Sequence, residues 1–312
     1  MSARSRHGPL NRDWDQGSRG GVHQTRRHCD CDLEWLGCLR GLGSGLERSS
    51  TMKQNTYERS LRRRLLDGET VYGLVIKASS PALVEMCAAA GFDFAFIDGE
   101  HGSGEALELE HHVRAAESFG MPAVVRIGSH QPGEILRALD IGAEGIIVPH
   151  VNTRAEAEAI VQAAHYPPIG RRGLATTTRA GRHAFSNLKE HLHYAEQNTL
   201  IAVQVEDPEA IEHVEEIASV GYVDCVFIGP ADLSLGLGYP GESDHPVVVE
   251  AFNRICSAVA SKPNVKLGSF GRDARDAKVW TAKGASFVAL ASTLLIAQKF
   301  REVVAELYPQ KI

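Results

Sequence analysis

Five side chains in this sequence could act together in acid–base and metal chemistry: Asp98, His101, Arg126, Glu206 and Asp232. Glu206 and Asp232 offer hard carboxylate oxygens to a divalent cation, and two such ligands leave most coordination positions to water and substrate. That pattern suits Mg²⁺ or Mn²⁺, with Co²⁺ a further option, better than a closed structural zinc. A cation held so openly can polarise the carbonyl of a 2-oxo acid and stabilise an enolate. Arg126 can set a fixed positive charge against the oxygen on which negative charge develops. His101 can carry the proton, with Asp98 setting its tautomer and raising its basicity. Gly229 and the backbone amides after Pro230, from Ala231 onward, would form an anion cradle at a helix start, suited to a carboxylate. Such a set fits the making or breaking of a carbon–carbon bond through a pyruvate enolate.

Each of these residues also has an ordinary explanation. A lone aspartate after a strand often forms a turn or caps a helix, and His101 by itself could be a solvated side chain. What joins them is where they fall in the pattern of elements. Short apolar or β-branched runs read as strands at 71–76, 94–97, 123–125, 145–148, 200–205, 225–228, 265–269 and 286–290. Helical stretches alternate with them at 55–67, 81–90, 104–118, 132–140, 153–164, 208–220 and 246–260. Regular alternation demands a parallel sheet, and eight units closing on themselves give a (β/α)8 TIM barrel, an α/β fold. The alternative is a doubly wound open sheet, but no G-x-G-x-x-G follows the first strand. A barrel gathers the C-terminal ends of its strands at one mouth. Asp98 and His101 end strand two, Arg126 strand three, Glu206 strand five, and Asp232 follows strand six.

Composition restricts what such a chain can be. With 312 residues, 43% hydrophobic and 23% charged, it has material for a large core. No run of 18 apolar residues and no charged-then-apolar start appear, so a cytoplasmic protein without a membrane span or secretory signal is expected. Six scattered cysteines do not form a disulfide framework. A net charge of −6 argues against nucleic acid as the main partner and leaves small molecules. Residues 1–51 differ from the rest: eight Arg, no Lys, eight Gly and no sustained period read as a disordered extension. Cys29, Cys31 and Cys38 lie near His23 and His28, but the paired C-x2-C spacing of a zinc site is missing. Six acidic residues and few serines also weaken a transit-peptide reading. Met52 is a possible true start, and 261 residues remain from it, close to the roughly 250 of a typical barrel.

Several motifs sit on these strand ends: Ile97-Asp98-Gly99-Glu100-His101, Val124-Val125-Arg126, Val148-Pro149, Tyr166-Pro167-Pro168 through Arg172-Gly173, Val203-Gln204-Val205-Glu206, and Phe227 through Ser234. Through them residues 55–305 resemble the HpcH/HpaI aldolase family of the phosphoenolpyruvate/pyruvate barrels, whose members cleave 4-hydroxy-2-oxoheptanedioate or 2-dehydro-3-deoxyglucarate. The resemblance implies a metal-dependent, class II pyruvate aldolase that splits a 4-hydroxy-2-oxo acid reversibly into pyruvate and an aldehyde. It also implies Glu206 and Asp232 as metal ligands, His101 with Asp98 as the acid–base dyad, Arg126 as the enolate-stabilising cation, and Gln204 against substrate or metal-bound water. A homo-oligomer, a hexamer with swapped helices, is implied as well. From the sequence itself only some helical interface is expected, because 297–308 carries Phe300, Val303, Val304 and Leu307 on one stripe.

Three features remain open at this level. Lys77 follows strand one at the face of the mouth, where an imine mechanism would need it, although a solvated or carboxylate-binding role is the simpler reading. The connection from strand four to strand five runs about fifty residues, and is expected to cover the mouth. Its Arg171, Arg172, Arg179 and Arg182 suit a second substrate carboxylate, with a surface loop held by salt bridges as the alternative, and the family resemblance singles out Arg172 for the carboxylate. The alternative activities are an acyl-CoA thioester lyase of the citrate lyase β or malyl-CoA type and a non-catalytic barrel that binds a 2-oxo acid.

Overall fold

The computed structural model describes residues 59–102 and 104–309. The expectations for 1–51, the possible start at Met52 and the beginning of the first helix lie outside the described residues. Eight parallel strands close into a barrel in sequence order: β1 (Val71–Ile76), β2 (Phe94–Asp98), β3 (Ala123–Arg126), β4 (Gly145–Val148), β5 (Leu200–Val205), β6 (Cys225–Ile228), β7 (Lys266–Gly271) and β8 (Ala285–Ala291). The helices are α1 (Leu61–Leu66), α2 (Pro81–Ala90), α3 (Ala106–Ser118), α4 (Pro132–Asp140), α5 (Arg154–Ala164), α6 (Leu188–Asn198), α7 (Pro208–Ile217), α8 (Pro230–Gly236), α9 (Pro246–Ala260), α10 (Ala274–Ala282) and α11 (Ser292–Leu307). The TIM barrel read from the alternation is therefore the fold.

Strand parity divides the buried side chains into two cores, because successive residues point to opposite faces. Val71 and Val75, Phe94 and Phe96, Val124, Ile147, Leu200 and Ala202, Phe227, Phe287 and Ala289 fill the barrel's interior. Their neighbours, such as Ala95, Ile97, Val125, Ile146, Val203 and Ile228, pack outward against the helices. The interior is dense with rings: Phe94 stacks on Phe287 at 4.4 Å, and Phe227 meets Phe270 edge-on at 4.7 Å. Gly73 makes room for this, since a Cβ there would enter the ring of Phe94.

Helix α1 closes the N-terminal end of the barrel. Ser60 caps it, and Leu61 and Leu65, one turn apart and fully buried, join the interior core. Burying each leucine contributes roughly 1.5–3 kcal/mol. The Leu61 N–H donates to Glu144 at 2.6 Å, Arg62 pairs with Asp224 at 2.8 Å, and Arg64 pairs with Asp93 at 2.7 Å. Arg62 and Arg64 are thus not a solvated face: they reach the acids just before β6 and β2, while Arg63 alone of the three stays largely exposed.

The long connection between β4 and β5 also differs from expectation. It follows α5, which runs from the mouth back to the N-terminal end, so the segment 165–187 lies at the foot of the barrel and does not cover the mouth. Arg172 is buried there, paired with Asp140 at the end of α4 (2.7 Å) and lying over the ring of Tyr166 at 4.7 Å. Arg179 donates to the carbonyl of Ile141 at 3.0 Å and pairs with Glu117 at the end of α3. The segment braces helix ends.

Candidate active site

Parity also loads the mouth. Extending the interior row of β2 past Phe94 and Phe96 gives Asp98, and that of β3 past Val124 gives Arg126. Asp98 and Arg126 are register partners at the ends of their strands. The guanidinium grips the carboxylate with both arms, Nε to Oδ1 at 2.9 Å and Nη2 to Oδ2 at 2.6 Å, and both side chains are buried. Rings of Phe96 and Phe270 lie 5.6 and 5.4 Å from the guanidinium carbon. Burial alone would raise the Asp98 carboxyl. The hydrogen bonds and charge of Arg126, then the His101 amide and Lys77, outweigh it and hold Asp98 below the usual aspartate range.

This arrangement changes the role expected of Asp98. Its Oδ1 accepts the backbone N–H groups of Glu100 and His101, each at 3.2 Å, and its remaining capacity goes to Arg126. Asp98 therefore touches His101 through the backbone and does not orient the imidazole. The cross-strand neighbour reaches the carboxylate directly, whereas His101 lies in the turn that wraps around it. The His101 ring is half exposed, 3.8 Å from Glu100 Oε2. Glu100 also pairs with Arg126 at 3.1 Å.

From Arg126 the polar contacts continue across the mouth. Its Nη1 approaches the Gln204 side-chain oxygen at 3.5 Å, and the Gln204 amide donates to Glu206 Oε2. Gln204 extends the inward row of β5, is fully buried, and bridges the cation to the carboxylate. Glu206 Oε1 accepts the His150 backbone N–H at 3.0 Å. Burial raises the Glu206 carboxyl above its usual range against the pull of the His150 amide and ring and of Gln204, and Asp232 adds to the rise.

Asp232 lies in the first turn of α8, next to Glu206 electrostatically. Gly229, the residue before that helix, keeps the wall thin: a Cβ there would enter the Glu206 carboxylate and lie 2.9 Å from the Gln204 amide nitrogen. Pro230 has no N–H, and Ala231 and Asp232 begin the turn whose amides have no partner within the helix. Among the described residues no three His, Cys, Asp or Glu side chains stand grouped as a ready metal site. The donors present are the two carboxylates Glu206 and Asp232, one of them deeply buried with its charge incompletely offset. That donor set fits a hard divalent cation with open positions.

His150 and Lys77 complete the mouth. His150, two residues past β4, has a left-handed backbone (φ 52°) and its ring stands 3.1 Å from Asp207, 3.6 Å from Glu206 and 3.7 Å from Glu100. Partial burial opposes its charge, but these three carboxylates raise its imidazole above the usual range. No spacing in the sequence sets His150 above a solvated histidine; its place two residues after a strand end was the available signal. Lys77 continues the inward row Val71, Gly73, Val75 of β1 and stands 3.7 Å from Asp98 Oδ2. Arg172 is absent from the mouth, for the reason given by the course of α5.

Comparison with known proteins agrees with this geometry. Residues 72–298 match the model of the HpcH/HpaI aldolase/citrate lyase family. The chain is 36% identical over 243 residues to the 2-keto-3-deoxy-L-rhamnonate aldolase of Klebsiella pneumoniae, covering 76% of this chain and 88% of that one. It is 33% identical over 232 residues to the 5-keto-4-deoxy-D-glucarate aldolase of Shigella boydii, covering 74% and 88%. A crystal structure of an HpcH/HpaI aldolase/citrate lyase family protein from Burkholderia cenocepacia superposes with a TM-score of 0.75 at 32% identity, over 79% of this chain and 98% of that one. With a barrel mouth of this composition and relatives of this kind, the chain belongs to the HpcH/HpaI aldolase/citrate lyase family and is one of its aldolases, a carbon–carbon lyase.

Proposed function

We propose that this aldolase cleaves a 4-hydroxy-2-oxo acid, of the 4-hydroxy-2-oxoheptanedioate or 2-dehydro-3-deoxyglucarate type, reversibly into pyruvate and an aldehyde. The observation that carries the reading is the continuous set Asp98–Arg126–Gln204–Glu206, with Asp232 beside its end, spanning the mouth from β2 to β6. Glu206 and Asp232 would hold a divalent cation, Mg²⁺ or Mn²⁺, which supplies Lewis-acid polarisation of the keto group when bound. The substrate carboxylate lies against Gly229 and the amides of Ala231 and Asp232. His101, half exposed and free of strong partners, takes the proton of the C4 hydroxyl as the C3–C4 bond breaks and the aldehyde leaves. The bonding pair moves toward the C2 oxygen, where the fixed charge of Arg126 opposes the developing anion. Asp98 serves by pinning Arg126. A proton returned to C3 completes pyruvate, and synthesis runs the same steps in reverse.

The partners in this reading are a small 2-oxo acid and an aldehyde. A homo-oligomer belongs to it too: α11 leaves Leu294, Phe300, Val304 and Leu307 exposed, an apolar stripe that a second copy would cover, up to the hexamer of the family resemblance. Sedimentation as a monomer would remove that element. A cytoplasmic setting accords with the free thiols Cys87, Cys225 and Cys256. No described helix is long and apolar enough to cross a membrane.

The test is pyruvate release from the two substrates, before and after EDTA and with Mg²⁺ or Mn²⁺ restored. Release that stops with chelator and returns with metal supports the proposal. Release that survives thorough chelation and is trapped by borohydride would transfer the chemistry to Lys77 and refute it.

A further inference from the structure

With Arg172 at the foot of the barrel, the mouth needs another cation if it is to hold a second carboxylate. Among the described residues Arg126 is fully engaged by Asp98, Glu100 and Gln204. Arg272, after β7, is gripped by Asp276 through Nε and Nη2 at 3.0 and 3.2 Å. Lys77 is different. Among the described residues its ammonium has no hydrogen-bond partner and one ion pair, 3.7 Å to Asp98, a carboxylate already taken by a bidentate arginine and two backbone amides. About a third of the side chain is exposed. Three N–H donors are thus available to a ligand at the rim.

Its place in the ring gives the direction. The donor half of the substrate is anchored at β5 and β6, by Glu206, Gly229 and Asp232. In a closed barrel of eight strands in sequence order, β1 stands opposite β5. An aldehyde half extending from the reacting carbon away from that anchor would run past Arg126 and His101 toward β1. We infer that Lys77 is a specificity-determining residue, binding a terminal carboxylate on the aldehyde half, so that the enzyme selects ω-carboxylated acceptors over neutral ones. This rests on the pyruvate aldolase reading, whose two substrates both carry a terminal carboxylate on the aldehyde half, and adds the residue that binds it.

The experiment runs the reaction in the direction of synthesis, with pyruvate and either 4-oxobutanoate or butanal, which share chain length and differ in the terminal charge. The measured quantity is the ratio of kcat/KM for the two aldehydes in wild type, Lys77→Gln and Lys77→Arg, so that losses common to both aldehydes cancel. Lys77→Gln should lower the ratio roughly tenfold to a hundredfold, as expected for a lost charge-assisted hydrogen bond, mainly through KM for 4-oxobutanoate, and Lys77→Arg should keep most of it. An unchanged ratio, or equal losses with both aldehydes, would overturn the inference. Exchange of the pyruvate methyl protons with D2O, followed by NMR without any aldehyde, separates the two levels. Exchange by wild type with an unchanged ratio refutes the role of Lys77 alone; no exchange by wild type refutes the aldolase reading and this inference with it. Loss of exchange in Lys77→Gln would place Lys77 in the donor half and refute the acceptor role.

Discussion

Replacing Arg126 by Met tests the centre of the site through stability as well as activity. The Asp98 side chain is 0% exposed and Arg126 3%, so removing the guanidinium leaves a buried carboxylate with two long amide contacts and the Lys77 ammonium at 3.7 Å. Stranding one partner of such a pair costs about 3–5 kcal/mol, where deleting both is far milder. For a barrel of this size each kcal/mol moves Tm by roughly 2–4 °C, which gives a fall of roughly 6–20 °C at pH 7. The sign with pH follows from Asp98. Its folded-state carboxyl lies below the usual aspartate range, so the pair contributes stability above that range and loses it as pH falls through the folded value. In Arg126→Met the same carboxyl rises and takes up a proton more readily, so the gap between variant and wild type should narrow as pH falls from 7 toward 4. Circular dichroism melts across that range, with Asp98→Leu and the double variant Arg126→Met/Asp98→Leu, complete a cycle. A single variant within about 1 kcal/mol of wild type, a gap that widens in acid, or a double variant no more stable than Arg126→Met would refute the buried-pair account.

Two further perturbations address other parts of the molecule. Gly229→Ala places a methyl group in the Glu206 carboxylate and against Gln204, and misplacing a catalytic group by about 1 Å costs on the order of a hundredfold in kcat/KM, read in the pyruvate-release assay; activity near wild type would mean that Glu206 need not stay where it stands. Glu144, which accepts the Leu61 amide, has its carboxyl raised by burial from 4.5 to about 7. An acid raised on folding favours the folded state at low pH and disfavours it increasingly as pH climbs from 4.5 through 7. Because Glu144 keeps some solvent contact, the effect is about 1–2 kcal/mol, and Glu144→Gln, which retains the acceptor oxygen, should lose that much less stability between pH 5 and pH 8 in urea melts. Parallel pH profiles for the two proteins would contradict it.

How much of this could be read in the sequence depended on whether the deciding contact was local. β1, β4, β5 and β6 run over the residues expected of them, because buried parallel strands are short apolar runs bounded by polar or glycine residues. Asp98 and Arg126 were legible as strand ends, but their pairing was not, since it depends on the register of β2 against β3. Hence Asp98 was read as the partner of His101, when its carboxylate is taken by Arg126 of the next strand. Helix α6, Leu188–Asn198, went unread because its few apolar residues are interrupted by charged and polar ones, and α10, Ala274–Ala282, because its nine residues have only a short apolar face. Arg172 was misplaced for a topological reason: the length of a loop shows that it must go somewhere, and only the direction of the preceding helix shows to which end.

That direction separates two uses of the same residue types. At the foot of the barrel four largely buried arginines close on nearby acids: Arg62 on Asp224, Arg64 on Asp93, Arg172 on Asp140, Arg179 on Glu117. These pairs join α1 and the 165–187 segment to the strand and helix ends, and their charges are matched within the fold. At the mouth Asp98, Glu100, Glu206, Asp207 and Asp232 face Arg126, Lys77 and the rings of His101 and His150, so carboxylates exceed fixed cations. Burial raises the Glu206 carboxyl, and the neighbouring charge of Asp232 adds to the rise. A fold built only for stability would gain from neutralising such a surplus, as its other end does. The surplus left at the C-terminal ends of β5 and β6, with Gly229 holding the wall back from it, is what a site needs if its balance of charge is to be completed by a cation and a ligand from solution.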